Sequence, residues 1–246
     1  MHVSRYGSGP RVVLVHGSIT NSVTWRPVLP LARRYELVVP DRPGYPPNPP
    51  LARIDFEEQA HELAALFEGG AHLAGFSYGG VIALLAADLE PDAVRSLTVI
   101  EPPCFGVARG HPAVEETVER FVALWTSGVR GPGEFAAGFA AVFGEQGRVP
   151  ADVPPGREQG VRALMAERPP WEAEIPLERL ATTRYPKLVC SSGGHPAYEA
   201  VCDVLERRLG AQRVVLAGAG HAVHHAPGFT EAFAAVLERG ELAARS

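Results

Sequence analysis

Ser77 lies in Gly75-Phe76-Ser77-Tyr78-Gly79-Gly80, between an apolar run, His72-Leu73-Ala74, and a helix-forming one, Val81 to Ala87. Such a segment folds as a strand that turns abruptly into a helix. Glycines two residues either side of the serine let backbones approach where a Cβ would clash. The turn strains Ser77 and projects its hydroxyl above the sheet edge at a helix N-terminus, which makes it a candidate nucleophile. A serine hydroxyl is a poor nucleophile until a base takes its proton, so an imidazole must lie nearby in space. Of the nine histidines, His221 is best placed. It follows the apolar Val214-Val215-Leu216 through the loop Ala217-Gly218-Ala219-Gly220 and precedes a final helix. His224 and His225 are its rivals, with polar packing at the pocket rim as their alternative role.

The chemistry open to such a pair is acyl transfer, whose tetrahedral intermediate carries an oxyanion that needs two backbone N–H donors. Tyr78, directly after the nucleophile at the helix start, supplies one. Ser18, in the loop His16-Gly17-Ser18 that follows the strand Val12 to Val15, supplies the other, and His16 reads as structural. Trp25, Phe76 and Trp125 are the candidate substrate-binding residues. No phosphate-binding loop, dinucleotide fingerprint or metal-ligand spacing occurs, so no cofactor and no metal are expected.

These side chains must be brought together by a scaffold. Short Val/Leu/Ile runs alternate with longer segments of helical period, the sign of a parallel sheet covered on both faces. Strands are expected at 11–15, 36–39, 72–74, 97–100, 187–191 and 213–216, with an edge strand at 2–6. Helices are expected at 56–67, 78–89, 198–209 and 228–237, the first opened by Asp55 in a capping-box variant. Between Pro102 and Tyr185 the strand-like runs stop. Amphipathic helices at 114–126, 134–143 and 157–167 replace them, separated by Gly/Pro breaks. The fold class is therefore α/β, with a core of residues 1–102 and 186–246 and a helical cap at 103–185 placed over the strand C-termini, where open α/β sheets bind ligands.

At 246 residues with 46% apolar content, one catalytic domain with an insertion is well accommodated. A formal charge of −5 argues against nucleic acid or an anionic membrane as partner, leaving a small-molecule substrate. No long apolar run and no basic-then-apolar leader is present, and Cys104, Cys190 and Cys202 form an odd set without metal spacing. Reduced thiols and a cytoplasmic setting are the expectation.

Four segments, Val15-His16-Gly17-Ser18, Asp41-Arg42-Pro43-Gly44-Tyr45, Gly75 to Gly80 and Gly218-Ala219-Gly220-His221, resemble the successive landmarks of the α/β-hydrolase superfamily. They come in that family's order and span nearly the whole chain outside the insertion. The resemblance is specific for fold and weak for substrate, since the superfamily includes esterases, lactonases, thioesterases, C–C bond hydrolases, lyases and non-catalytic receptors. It implies a triad acid after the penultimate strand, yet that strand runs into Ser192-Gly193-Gly194-His195-Pro196. Glu101 is the substitute. It ends the strand that follows the nucleophile's helix, stands beside Ser77 facing His221, and is fixed by Pro102-Pro103. Superfamily branches similar to zearalenone-hydrolase-type lactonases carry a glutamate there. Glu199 and Asp203 remain rivals for the role, and a pocket-rim carboxylate is the other reading of Glu101. The implied activity is cleavage of a small or medium carboxylic ester or lactone. Thioester, C–C bond or lyase chemistry on the same fold, and ligand capture without turnover, are the alternatives.

Overall fold

The computed structural model describes residues 1–143 and 153–245. Its seven strands are β1 (His2–Tyr6), β2 (Arg11–Val15), β3 (Glu36–Asp41), β4 (Ala71–Phe76), β5 (Val94–Ile100), β6 (Lys187–Ser191) and β7 (Gln212–Val215). They form one sheet in the order β1-β3-β2-β4-β5-β6-β7. β1 pairs antiparallel with β3 at one edge, and every other pairing is parallel. The helices are α1 (Phe56–Ala64), α2 (Tyr78–Leu89), α3 (Pro112–Thr126), α4 (Pro132–Val142), α5 (Pro155–Ala166), α6 (Leu177–Thr182), α7 (Pro196–Leu209) and α8 (Phe229–Ala243).

The continuous apolar strands make sense because both sheet faces are covered. Val13 and Val15 of β2 join a layer with Phe56 and Leu63 of α1 and Val81 of α2. The alternate residues Val12 and Leu14 join the opposite layer with Trp25, Val28 and, from α8, Phe233 and Val236. This two-residue alternation is the pleat of a strand buried on both sides. Asp55 caps α1, its carboxylate accepting from the Glu57 and Glu58 N–H groups.

The first helix stops at Ala64, short of the expected 67, and the elements not foreseen are α6, four short 3-10 turns at Pro91–Ala93, Phe105–Ala108, Pro170–Glu172 and Val223–His225, and a longer 3-10 stretch at Ser22–Arg33. Pro27 and Pro30 inside that stretch lack the N–H groups an α-helix needs, so the segment is held in 3-10 turns. The insertion between β5 and β6 carries α3 to α6. Of the expected cap, 144–152 lie outside the described residues.

The insertion is tied to the core at the end of α5. Ile54 N–H donates to Ala166 O (2.8 Å), and Arg168 N–H donates to Ile54 O (2.7 Å). Beneath this bridge the Glu167 carboxylate accepts from Arg42 Nη2 at 2.6 Å, with both side chains almost fully buried. It also accepts from Tyr45 Oη at 2.7 Å and Ser18 Oγ at 2.6 Å.

Three histidines are buried in this core. His16 donates Nδ1–H to Gly17 O (2.7 Å) and accepts from Arg42 N–H at Nε2 (2.9 Å), a neutral pattern. Burial, with Arg42 adding to it, pushes His16 down to about 3. Burial likewise lowers His72 to about 4 despite Glu241, and lowers His224 to about 3. In the unfolded chain each titrates near ~6.5, so between about pH 6.5 and 4 the unfolded state binds more protons and stability falls as pH falls. The expected loss is roughly 2 kcal/mol per histidine by about pH 4.5. Urea midpoints measured across this range test it, and a midpoint that holds or rises on acidification contradicts it.

Candidate active site

Ser77 stands in the turn between β4 and α2 with φ 53° and ψ −126°, a strained backbone for a residue with a Cβ. The turn is held by Ser77 N–H to Ile100 O (2.8 Å) and Gly80 N–H to Ser77 O (2.7 Å). Its tightness explains the glycines. A Cβ on Gly75 would lie 2.3 Å from Gly79 O, and one on Gly79 would lie 2.4 Å from His16 O.

His221 reaches this turn from the loop after β7. Its Nε2 is 3.0 Å from Ser77 Oγ and its Nδ1 is 2.6 Å from Glu101 Oε2. The acceptor at Nδ1 fixes the proton there, leaving the Nε2 lone pair toward the serine hydroxyl. Glu101 sits at the end of β5 with φ 41°, a second strained non-glycine residue. Its Oε1 accepts from Ser192 N–H (2.7 Å) and Ser192 Oγ (2.6 Å). Burial alone would raise the carboxyl, but the His221 hydrogen bond and charge, with the Ser192 bonds, outweigh it and hold it below the usual carboxylate range. Tyr198 stacks on the His221 ring at 4.8 Å, and Phe76 flanks it at 4.9 Å.

Ser18 and Tyr78 line a small cavity together with Ser77. Among the described residues, neither backbone N–H donates to a backbone acceptor outside regular helices and strands. Both residues are held through their side chains instead, Ser18 by Glu167 and Tyr78 by donating to Arg168 O at 2.9 Å. Trp125 lines the same cavity.

Other expected placements need correction. Trp25 does not approach the site: the 3-10 stretch turns it inward, fully buried, with its ring 4.8 Å from His224. Phe76 packs on imidazoles and is absent from the described walls of the cavities around the site. His224 and His225 bind Thr24, at 2.7 Å to Oγ1 and 2.8 Å to O, so both brace the 3-10 stretch. Glu199 is engaged with Ser191 Oγ, Gly193 N–H and Arg213, and Asp203 is half exposed near Arg213. Neither rival carboxylate meets His221. His195 lines a larger neighbouring cavity, and its buried Nδ1 has no hydrogen-bond partner among the described residues. Ser192, Tyr198, Arg42 and Glu167 are further members of the site that sequence reading missed. The Asp41-Arg42-Pro43-Gly44-Tyr45 landmark was the one available signal. Cys104, Cys190 and Cys202 are free and buried, and no group of three metal-binding side chains occurs among the described residues.

Residues 12–234 match the pattern of the Alpha/beta hydrolase family. The chain belongs to this family. A pimeloyl-[acyl-carrier protein] methyl ester esterase of Aeromonas hydrophila is 32% identical over 51% of this chain and 58% of its own length, so the match spans little more than half of that relative. The enzyme of the same name from Methylococcus capsulatus is 32% identical over 76% of this chain and 72% of its own. The solved structure of Est816, an N-acyl homoserine lactone degrading enzyme, superposes with TM-score 0.68 at 22% identity, covering 95% of each chain. At that identity the likeness establishes the α/β-hydrolase fold alone. No helix among the described residues is long and apolar enough to cross a membrane.

Proposed function

We propose that this α/β hydrolase is a serine hydrolase that cleaves a small or medium carboxylic ester or lactone by Ser-His-Glu acyl transfer. The observation that carries the reading is the unbroken chain Ser77–His221–Glu101, at 3.0 and 2.6 Å, at the C-terminal edge of the parallel sheet. His221 takes the Ser77 proton as Oγ attacks the carbonyl carbon. The Ser18 and Tyr78 amides receive the oxyanion. His221 then gives the proton to the leaving oxygen, and water repeats the sequence to release the acid. Glu101, held ionised by its hydrogen bonds, stabilises the imidazolium and fixes its tautomer. The insertion acts as a cap over this edge, and the substrate is a small molecule, with neither nucleic acid nor membrane as partner. The free, buried thiols fit a cytoplasmic setting.

Two relatives whose names specify a methyl ester favour an ester over a thioester, C–C bond or lyase reaction. The test is covalent. A fluorophosphonate probe adds to the peptide containing Ser77, seen by mass spectrometry, and p-nitrophenyl acetate is turned over. Ser77→Ala abolishes both signals. Labelling and turnover that persist in Ser77→Ala would refute the assignment.

A further inference from the structure

We propose that Tyr198 is a further catalytic residue, its phenol hydroxyl donating a hydrogen bond to Ser77 Oγ whenever charge builds on that oxygen. This rests on the acyl-transfer roles just proposed for Ser77 and His221. Tyr198 lies in the first turn of α7, directly after the loop whose Ser192 holds Glu101. Its side chain is almost fully buried, at 3% exposure, and neighbouring rings fix it. It stacks on the His221 imidazole at 4.8 Å with 27° between the planes, and Phe105 and His195 pack against it at 5.5 and 5.6 Å.

A buried tyrosine hydroxyl normally finds a polar partner. Tyr198 shares the walls of one small cavity with Ser77, and the Ser77 hydroxyl is the hydrogen-bonding group that eases ionisation of the phenol. Burial, with the Glu101 charge adding to it, outweighs that effect and holds the phenol protonated well above the ordinary tyrosine range. At rest, Ser77 Oγ is engaged with His221 Nε2 at 3.0 Å, and no short bond to Tyr198 is formed among the described residues. Catalytic hydrogen bonds are often long at rest and tighten as the reaction proceeds.

Ser77 Oγ carries charge twice in acyl transfer. It does so as its proton passes to His221 during attack on the carbonyl carbon. It does so again after water has added, when the Oγ–C bond breaks, the acid departs and His221 returns the proton to Oγ. A neutral donor beside Oγ stabilises both transition states while keeping its own proton, so the Ser77–His221 exchange is unchanged in stoichiometry. The stack sets this donor against the same imidazole that already reaches Ser77, which brings both groups to one oxygen.

Tyr198→Phe keeps the stacked ring and removes only the hydroxyl. Labelling of Ser77 by a fluorophosphonate probe is expected to slow by about 10- to 100-fold, with a similar fall in kcat/KM for p-nitrophenyl acetate. Placing p-aminophenylalanine at position 198 restores a weaker N–H donor at the same point and should recover part of the lost rate. Packing alone would give no such rescue. If the phenylalanine variant does not fold, the amino variant carries the test, with a labelling rate at least about threefold below wild type. Rates within about twofold of wild type in Tyr198→Phe, whatever happens to Tm, would overturn the role and leave the serine-hydrolase reading intact. A loss that the amino group does not relieve would also overturn it and make Tyr198 a packing residue. Wild-type protein that neither labels at Ser77 nor turns over the ester would overturn the function beneath it.

Discussion

Glu101→Gln is expected to lower kcat by about 10³- to 10⁴-fold, the scale seen when a triad carboxylate becomes an amide. The physical reason is the direction of one hydrogen bond. Glu101 Oε2 accepts from His221 Nδ1–H at 2.6 Å, which keeps the lone pair of Nε2 aimed at Ser77 Oγ 3.0 Å away. A glutamine can present its NH₂ to Nδ1, stabilise the opposite tautomer and place a proton where the serine must deliver its own. It also removes the charge that stabilises the imidazolium. The loss should fall on kcat, with KM nearly unchanged, because the carboxylate is buried and acts on the reaction through His221. Asp203→Asn is the control. That carboxylate is half exposed beside Arg213, and its removal should leave kcat within about twofold. Full activity in Glu101→Gln with loss in Asp203→Asn would transfer the acid role to the other residue.

The same carboxylate shapes the acid limb of the pH profile. Its pKa is depressed in the folded state, so the stability it contributes is present above its unfolded pKa and is lost as pH falls through the lower folded value. The effect adds to the histidine losses on acidification. Replacement by glutamine should flatten the acid side of the stability curve.

What could be read from the chain was what is encoded locally. The turn at Ser77 depends on glycines within a few residues, whose Cβ atoms would strike Gly79 O and His16 O, so spacing alone reveals it. α2 begins and ends where periodicity placed it, at Tyr78 and Leu89. Glu101 was legible because strand order in a parallel sheet puts the residue after β5 next to the residue after β4. Trp25 had no local signal for its direction: it lies in a 3-10 stretch, with Pro27 and Pro30 inside it, that turns the ring into the core. Glu167 was invisible for the opposite reason. Its partners Arg42 and Tyr45 lie more than a hundred residues away, and a glutamate ending an amphipathic helix normally reads as solvated surface. Tyr198, three residues beyond His195, gave no sign that α7 would lay its ring on His221.

Glu167→Ala is the second large effect to expect, and it acts on stability and catalysis together. The pair it forms with Arg42 is buried, with side-chain exposures of 1% and 2%. Burial alone would lower the Arg42 pKa, but Glu167 outweighs it, so the guanidinium stays charged. Removing only the acid leaves that buried charge without a counter-ion, with only Gln59 Oε1 still accepting from it, at a cost of about 3–5 kcal/mol. For a chain of this length that is a fall in Tm of more than about 6 °C. Arg42→Leu combined with Glu167→Leu should recover much of the ion-pair loss, because an apolar pair of similar volume carries no charge-desolvation penalty, and the remaining deficit is that of the Tyr45 and Ser18 hydroxyls left without this acceptor. Activity should not recover with it. Glu167 also accepts the Ser18 hydroxyl at 2.6 Å, and the adjoining Arg168 carbonyl accepts the Tyr78 hydroxyl at 2.9 Å. Both residues proposed to donate to the oxyanion are thus braced from one point on the insertion. In the double variant kcat should remain about tenfold below wild type while Tm returns, the signature of lost positioning in a folded protein. Recovery of kcat in step with Tm would reduce Glu167 to a purely structural anchor.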